Sequence, residues 1–300
     1  MKVYFWIILF HIFCSTSTAQ ALIKMDTSFT VQGAFIKESK KRPYITVAER
    51  IDSTVLTLHQ IPYKKTEDRI LSLDAYVPRD FDSKYPCIVL IHGGNWQSGN
   101  KEMMATMARS LAHQFVVLSV EYRLALEAKF PAAYVDLTDA ILWAKSQKQL
   151  PIDTKRIAVI GTDAGGQLAS LLGTNAYQNK ESIVQSVINI DGVLAFHHSE
   201  SQEEEAAAFW LGGTYDQNPI QWKNASPLYQ VNSSTAPMLF LNSSIPHFHT
   251  GRADMMKKMN DFGIHSEFFV FDDTPHTFWL FNPWFDPMMD KIKDFLDRTL

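Results

Sequence analysis

Residues 157–166 read Ile-Ala-Val-Ile-Gly-Thr-Asp-Ala-Gly-Gly, and the fold turns on them. Ile157–Ile160 is a short apolar run of the kind that forms a buried strand. Gly161 and Gly165 permit a sharp turn, because backbone without a Cβ can be approached closely. That turn projects residue 163 upward from the sheet, and a helix follows from Ala164 to about Ala176. The N–H of Ala164 then lies at a helix N-terminus, where negative charge is favoured. Gly161–Gly166 lacks the lysine and spacing of a phosphate loop, and no dinucleotide fingerprint occurs in the chain.

Outward from this elbow, short apolar strands alternate with amphipathic helices. Thr54–Ile61 and Arg69–Val77 alternate in polarity and predict an antiparallel pair, closed off by the turn at Pro78–Asp82. Cys87–Ile91, Phe115–Val120, Val184–Ile190, Met238–Leu241 and Glu267–Phe271 predict further strands. Lys101–Ala112, Ala133–Lys148, Arg252–Phe262 and Pro287–Leu300 carry helical spacing. The pattern is α/β: a mainly parallel twisted sheet of about eight strands with helices on both faces. Residues 192–236 interrupt the alternation and read as an inserted lid over the strand ends. Within it, Glu203–Glu205 reads as a solvated helix start.

Composition bounds the function classes. The chain has 300 residues, 46% hydrophobic and 20% charged, so disorder and coiled coil are excluded. A net charge of −4 offers no basic excess for nucleic acid or an anionic membrane surface. Residues 1–19 differ from the rest: Lys2, the apolar run Val3–Cys14 and the small residues Ser17–Ala19 make the pattern of a secretory signal peptide. The expectation is a periplasmic or secreted protein with no membrane attachment after cleavage. Residues 20–53 form an arm, whose charged stretch 36–51 is expected to pack loosely. Residues 54–300 form the main domain. The mature chain would keep one cysteine, Cys87, in an apolar strand and so without an internal disulfide. Composition is silent on oligomeric state.

Two more segments belong with the elbow. His92-Gly93-Gly94-Asn95-Trp96 directly follows a strand, where exposed amides can stabilise an oxyanion. Asp273-Thr274-Pro275-His276-Thr277-Phe278-Trp279 follows the last strand and returns a histidine to the strand ends, near residue 163. Together the three segments resemble the α/β-hydrolase fold, and more narrowly its esterases with a His-Gly-Gly-Gly-type oxyanion loop. Val120–Leu124, Phe130–Ala133, Asp136-Leu137, Trp210–Gly213 and Ser226–Leu228 fit the same branch, which is similar to bacterial carbohydrate esterases that remove acetyl, feruloyl or methyl groups from plant polysaccharides. The resemblance implies oxyanion donors at the amides of Gly94, Asn95 and Ala164, and His276 as the base. It implies a small ester or an esterified glycan as substrate, and no cofactor.

The sequence departs from that family at the residue that matters most. The family's elbow is Gly-x-Ser-x-Gly, and here the middle residue is Asp163. A serine gives its proton to the histidine as it attacks, whereas a carboxylate is already ionised and would form an anhydride with an acyl group. Three roles are open to Asp163: a nucleophile toward saturated carbon, a base for water, or a disabling substitution that leaves a protein binding a glycan without turnover. The acid is displaced as well, because no carboxylate follows Met238–Leu241 before Asp254. Asp191, directly after the preceding strand, is the first choice for it; Asp254 and Asp273 are the others.

Several other residues have plainer readings. Trp210, Trp222, Trp279 and Trp284 read as packing for the lid and final helix, with stacking on sugar rings as the alternative. His197-His198 and His247–His249 lack an evident third ligand, so no metal site is expected. Arg252 reads as one half of an ion pair, with a carboxylate such as that of a uronic acid as the alternative partner.

Overall fold

A computed structural model describes residues 28–176, 181, 184–202 and 204–300. In chain order the elements are α1 (Val31–Glu38), β1 (Thr46–Val47), β2 (Val55–Lys65), β3 (Ile70–Pro78), β4 (Tyr85–Ile91), α2 (Ala105–Leu111), β5 (Val116–Val120), α3 (Ala132–Ser146), β6 (Ile152–Thr162) and α4 (Ala164–Gly173). There follow β7 (Ser186–Ile190), α5 (Glu204–Leu211), α6 (Pro219–Ala225), α7 (Pro227–Gln230), β8 (Met238–Asn242), α8 (Arg252–Asp261), β9 (Ser266–Val270), β10 (Phe281–Asn282) and α9 (Phe285–Thr299). Residues 1–19, read as a leader, and Glu203 lie outside the described residues.

The main sheet has eight strands in the order β2-β3-β5-β4-β6-β7-β8-β9. β3 pairs antiparallel with both its neighbours, and all pairings from β5 to β9 are parallel. This is the α/β architecture the sequence predicts. The period of two along each strand sends alternate residues to opposite faces. Cys87, Val89 and Ile91 of β4 join the layer formed with α3 and α4. Ile88 and Leu90 join the layer with α2 and α9. In α9, Met288, Met289, Ile292, Phe295 and Leu296 recur at helical spacing and bury one face against that layer.

The chain passes from β4 out to β5 and then back across to β6, so the connections diverge at β4. In open α/β sheets a crevice forms at the carboxyl ends of strands where this happens. The residues after β4, β6, β7, β8 and β9 all emerge on that edge.

The arm is not loose. Thr30 caps α1 by accepting the Gly33 N–H at 3.0 Å, and Ile45 and Ala48 are buried on either side of β1. β1 pairs with β10, and the Ala48 N–H reaches the Leu280 carbonyl at 2.9 Å. The run of Lys and Arg suggested a solvated segment, but two apolar residues spaced three apart are enough to dock it. The segment 192–236, expected to be an inserted lid, carries α5, α6 and α7. Trp210 stacks on Trp96 with ring centroids 5.1 Å apart, and Trp222 and Trp279 are buried too. These rings pack the lid and the last helix, which leaves none of the three free to stack on a sugar.

Candidate active site

The turn after β6 holds Asp163 at φ 52°, ψ −122°, a region that residues with side chains rarely occupy. The surroundings enforce it. A Cβ on Gly161 would come within 1.9 Å of the Gly165 carbonyl oxygen, and one on Gly165 within 2.2 Å of the Ile91 carbonyl oxygen. Only glycine lets β4, β6 and α4 close this tightly, and the closure leaves residue 163 standing proud of the sheet. Asn95, Trp96 and Asp191 also have positive φ, so the unusual backbone gathers around one point.

The loop after β4 is fixed from behind. Trp96 Nε1 donates to Gln167 Oε1 at 2.9 Å, and Gln167 Nε2 donates to the Ala225 carbonyl at 2.7 Å, so loop, α4 and lid form one unit. The Tyr122 hydroxyl donates to the His92 carbonyl at 2.8 Å, and the two rings stack at 4.5 Å. Burial lowers the His92 pKa to about 4, so its ring is neutral and serves the loop rather than proton transfer.

Held this way, the loop aims two amides at one atom. Asp163 Oδ2 accepts the N–H of Gly94 at 2.7 Å and of Asn95 at 2.9 Å. These are two of the three expected oxyanion donors, and the carboxylate fills them. Its remaining hydrogen-bonding runs to His276 and not to the Ala164 N–H, the third expected donor. His276 Nε2 lies 3.5 Å from Asp163 Oδ1, and its Nδ1 lies 3.0 Å from Asp191 Oδ2. Of the three candidate acids, Asp191 is the one that meets His276. It is buried and also accepts the Ser243 N–H at 2.7 Å. Asp254 pairs with His198, and Asp273 with Arg42 and Tyr44.

The electrostatics follow from this line of three side chains. Burial alone pushes the His276 pKa down, but hydrogen bonds and charges from Asp163 and Asp191 outweigh it and raise the pKa to about 9. Burial pushes the Asp163 carboxyl up, and the His276 bond and charge with the Gly94 and Asn95 amides bring it below the ordinary range. At neutral pH the site therefore rests with a His276 imidazolium beside the Asp163 carboxylate. In a serine esterase the histidine must begin neutral to accept a proton. The substitution at position 163 thus changes the protonation of its partner as well as the attacking atom.

A cavity of about 360 Å³ opens over this point, lined by Phe29, Gly94, Asn95, Ser98, Asp163, His247, Phe248 and His276. Phe248 stacks on the His276 ring at 3.4 Å. Sequence reasoning misses Phe29 and Phe248 and weighs His247 only as a metal ligand. Residues 242–249 stand out in the sequence for having no carboxylate, and their contribution is instead a ring that fixes the imidazole plane. Among the described residues no group of three His, Cys, Asp or Glu side chains gathers to hold a metal ion. Cys87 is buried, and burial pushes its thiol pKa above the usual range.

The strand order, the elbow after β6 and the histidine after β9 define an α/β-hydrolase fold. The chain belongs to the BD-FAE family, whose sequence pattern matches residues 73–246, more than half of its length. That span includes Gly94, Asn95, Asp163 and Asp191, while His276 lies beyond it. The esterase LipC of Mycobacterium tuberculosis is 28% identical over 196 residues, covering 59% of this chain and 49% of LipC. An arylesterase of Saccharolobus solfataricus is 36% identical over 150 residues, covering 49% of each chain. The chain thus spans about half the length of these two curated relatives. Among solved structures, an arylesterase superposes with a TM-score of 0.70 at 21% identity, covering 90% of this chain and 93% of that one. A truncated carbohydrate esterase from gut microbiota gives 0.68 at 21%, covering 83% of this chain and 99% of that one. These two likenesses establish the fold.

Proposed function

We propose that the chain is a carboxylic-ester hydrolase in which water is the nucleophile and Asp163 its base, acting on esterified glycans. The observation that carries this is the line Asp163–His276–Asp191 set against the amides of Gly94 and Asn95. It provides a base, an acid and an oxyanion site at one point. The esterase relatives support the reaction class, and the likeness to the gut carbohydrate esterase supports the substrate class.

The ester carbonyl oxygen must first displace Asp163 Oδ2 from the Gly94 and Asn95 amides. The freed carboxylate then holds a water and takes a proton from it as the water oxygen bonds to the carbonyl carbon. Negative charge develops on the former carbonyl oxygen, where the two amides, joined by the Ala164 N–H, stabilise it. As the carbon–oxygen bond to the alcohol breaks, the His276 imidazolium donates its Nε2 proton to the leaving alkoxide. Asp163 is now protonated and His276 neutral. Proton transfer between them across the 3.5 Å gap restores the resting pair. No acyl-aspartyl anhydride forms, and no covalent intermediate is needed.

One observation favours a second reading. The carboxylate occupies the amides that an ester needs, which suits a protein that binds an esterified glycan without turning it over. Hydrolysis of a small aryl acetate by the parent protein, beside Asp163→Asn and His276→Ala, separates the two. The hydrolase reading expects a parent rate above background that both substitutions abolish. A parent rate equal to background, in folded protein, refutes it and leaves the binding role. Export to the periplasm or beyond is part of the same proposal, supported by Lys2 and the apolar run Val3–Cys14. N-terminal sequencing of the mature protein tests it, and a retained Met1 would contradict it.

A further inference from the structure

A second cavity, of about 420 Å³, adjoins the first, and His247 lines both. Arg252, at the start of α8, lines it together with Glu200, Gln202, His249 and Ala253. The sequence predicts an ion pair for Arg252, with a sugar carboxylate as the alternative partner. Instead, no carboxylate among the described residues lies within ion-pair distance of its guanidinium. Its Nη1 donates to Asn242 Oδ1 at 2.5 Å, and its Cζ lies 4.3 Å from the centroid of the Phe268 ring. The other guanidinium N–H groups make no hydrogen bond among the described residues.

We propose that this cavity is a subsite for the carboxylate of an acidic sugar, bound through the guanidinium of Arg252. The proposal rests on the reading above only in taking the ligand to be a glycan. A guanidinium held over a ring, with Nη1 anchored and its other N–H groups open, offers the fork that accepts two carboxylate oxygens. Glu200 is already engaged: its Oε2 accepts the Gly251 N–H at 3.0 Å and lies 3.6 Å from His198 Nδ1. Glu200 and Gln202 therefore suit sugar hydroxyls rather than the charge. His249 Nε2 is closed from solvent with no hydrogen-bond partner among the described residues. Burial lowers the pKa of His247 and His249, as it does that of Arg252, so neither imidazole adds a second firm positive charge. One guanidinium, with no second firm cation beside it, fits a monoanion such as a uronate and disfavours a phosphate dianion. The cavities share His247, and the proposed ligand is one oligosaccharide with its carboxylate on Arg252 and its ester over Asp163.

The test is calorimetric binding of trigalacturonic acid, a neutral galactotriose and inorganic phosphate to the full chain. Trigalacturonate should bind at least about 10-fold more tightly than the neutral sugar, and phosphate should not compete with it. Arg252→Gln should weaken the acidic sugar about 10- to 100-fold and leave the neutral one unchanged. Arg252 also holds Asn242, so Ala253→Glu is the second variant; it places a like charge in the cavity without touching that bond and should weaken the acidic sugar in the same direction. Equal binding of both sugars, binding of neither, effective competition by phosphate, or variants that bind like the parent would each overturn the subsite. Turnover is not required for this readout. A protein that hydrolyses aryl acetate but ignores trigalacturonate loses only the subsite, and one that binds trigalacturonate without hydrolysis loses only the hydrolase reading.

Discussion

Replacing Asp163 with serine removes the base proposed for water but supplies a hydroxyl nucleophile with His276 as its base, so esterase activity should rise by this different route, and the size of the gain follows from what the carboxylate now holds. Its Oδ2 accepts two amide N–H groups at 2.7 and 2.9 Å. Hydrogen bonds to a charged acceptor are worth about 1.5–3 kcal/mol each, so freeing both amides costs an incoming ester about 3–6 kcal/mol. At about 1.4 kcal/mol per tenfold, that is a factor of about 10²–10⁴ in kcat/KM. Asp163→Ser removes this obstruction without changing the backbone strain, which both side chains share. It also strips His276 of one of its two acidic partners, so the imidazole pKa should fall from about 9 toward the ordinary range and the ring become a base. The assay is the kcat/KM for a small aryl acetate across pH 5 to 10. We expect the variant to exceed the parent by at least about 100-fold at pH 8, with a rate that rises as His276 deprotonates. An aryl phosphonate should attach covalently to the variant and not to the parent. A folded variant no faster than the parent, and unlabelled by the phosphonate, would show that the carboxylate does not obstruct those amides.

The same charges make stability depend on pH. His276 has its folded pKa raised above the unfolded value near 6.5, so its contribution is full below that pH and is lost as pH rises through about 9. The difference corresponds to about 3 kcal/mol. The depressed Asp163 contributes the opposite limb, present above the ordinary carboxylate pKa and lost as pH falls further. Urea titrations at pH 7 and pH 10 should show that loss in the parent and a smaller one in Asp163→Asn; an identical loss in both would rule out the pair as its source. Trp210→Ala empties the stack between lid and oxyanion loop and should cost about 3–5 kcal/mol in urea melts, with any aryl acetate activity falling alongside. A cost below about 1 kcal/mol would mean that the lid does not brace the loop. Gly165→Ala forces a Cβ toward the Ile91 carbonyl at 2.2 Å and should prevent soluble folding at 37 °C. Recovery of a normally melting protein would show that the elbow can relax.

What could be read from the sequence was whatever local pattern determines. The apolar runs at Cys87–Ile91 and Ile157–Ile160 announce buried parallel strands, because such strands are covered on both faces. The glycines at 161 and 165 mark the elbow, because the close backbone approach there excludes any side chain. Asp191 could be preferred as the partner of His276 because it directly follows a strand on the same edge. Where contacts come from distant segments, the reading ran out. The docking of Ile45 and Ala48 depends on β10, far along the chain. The ring of Phe248 on His276 depends on how the loop after β8 folds back. Arg252 looked like half of an ion pair because most buried arginines are, and its open fork became visible only with its neighbours in place. The occupation of the Gly94 and Asn95 amides by Asp163 was conceivable from the sequence alone. The two distances make it specific.

Everything proposed for this site rests on His276 being an imidazolium beside the Asp163 carboxylate at neutral pH. Nitrogen-15 NMR of the histidine ring, titrated from pH 5 to 10 in the parent and in Asp163→Asn, measures that directly. We expect both ring nitrogens of His276 to be protonated at pH 7.5, with loss of a proton near pH 9 in the parent and at clearly lower pH in the variant. A neutral ring at pH 7.5, or a midpoint that Asp163→Asn does not move, would contradict it.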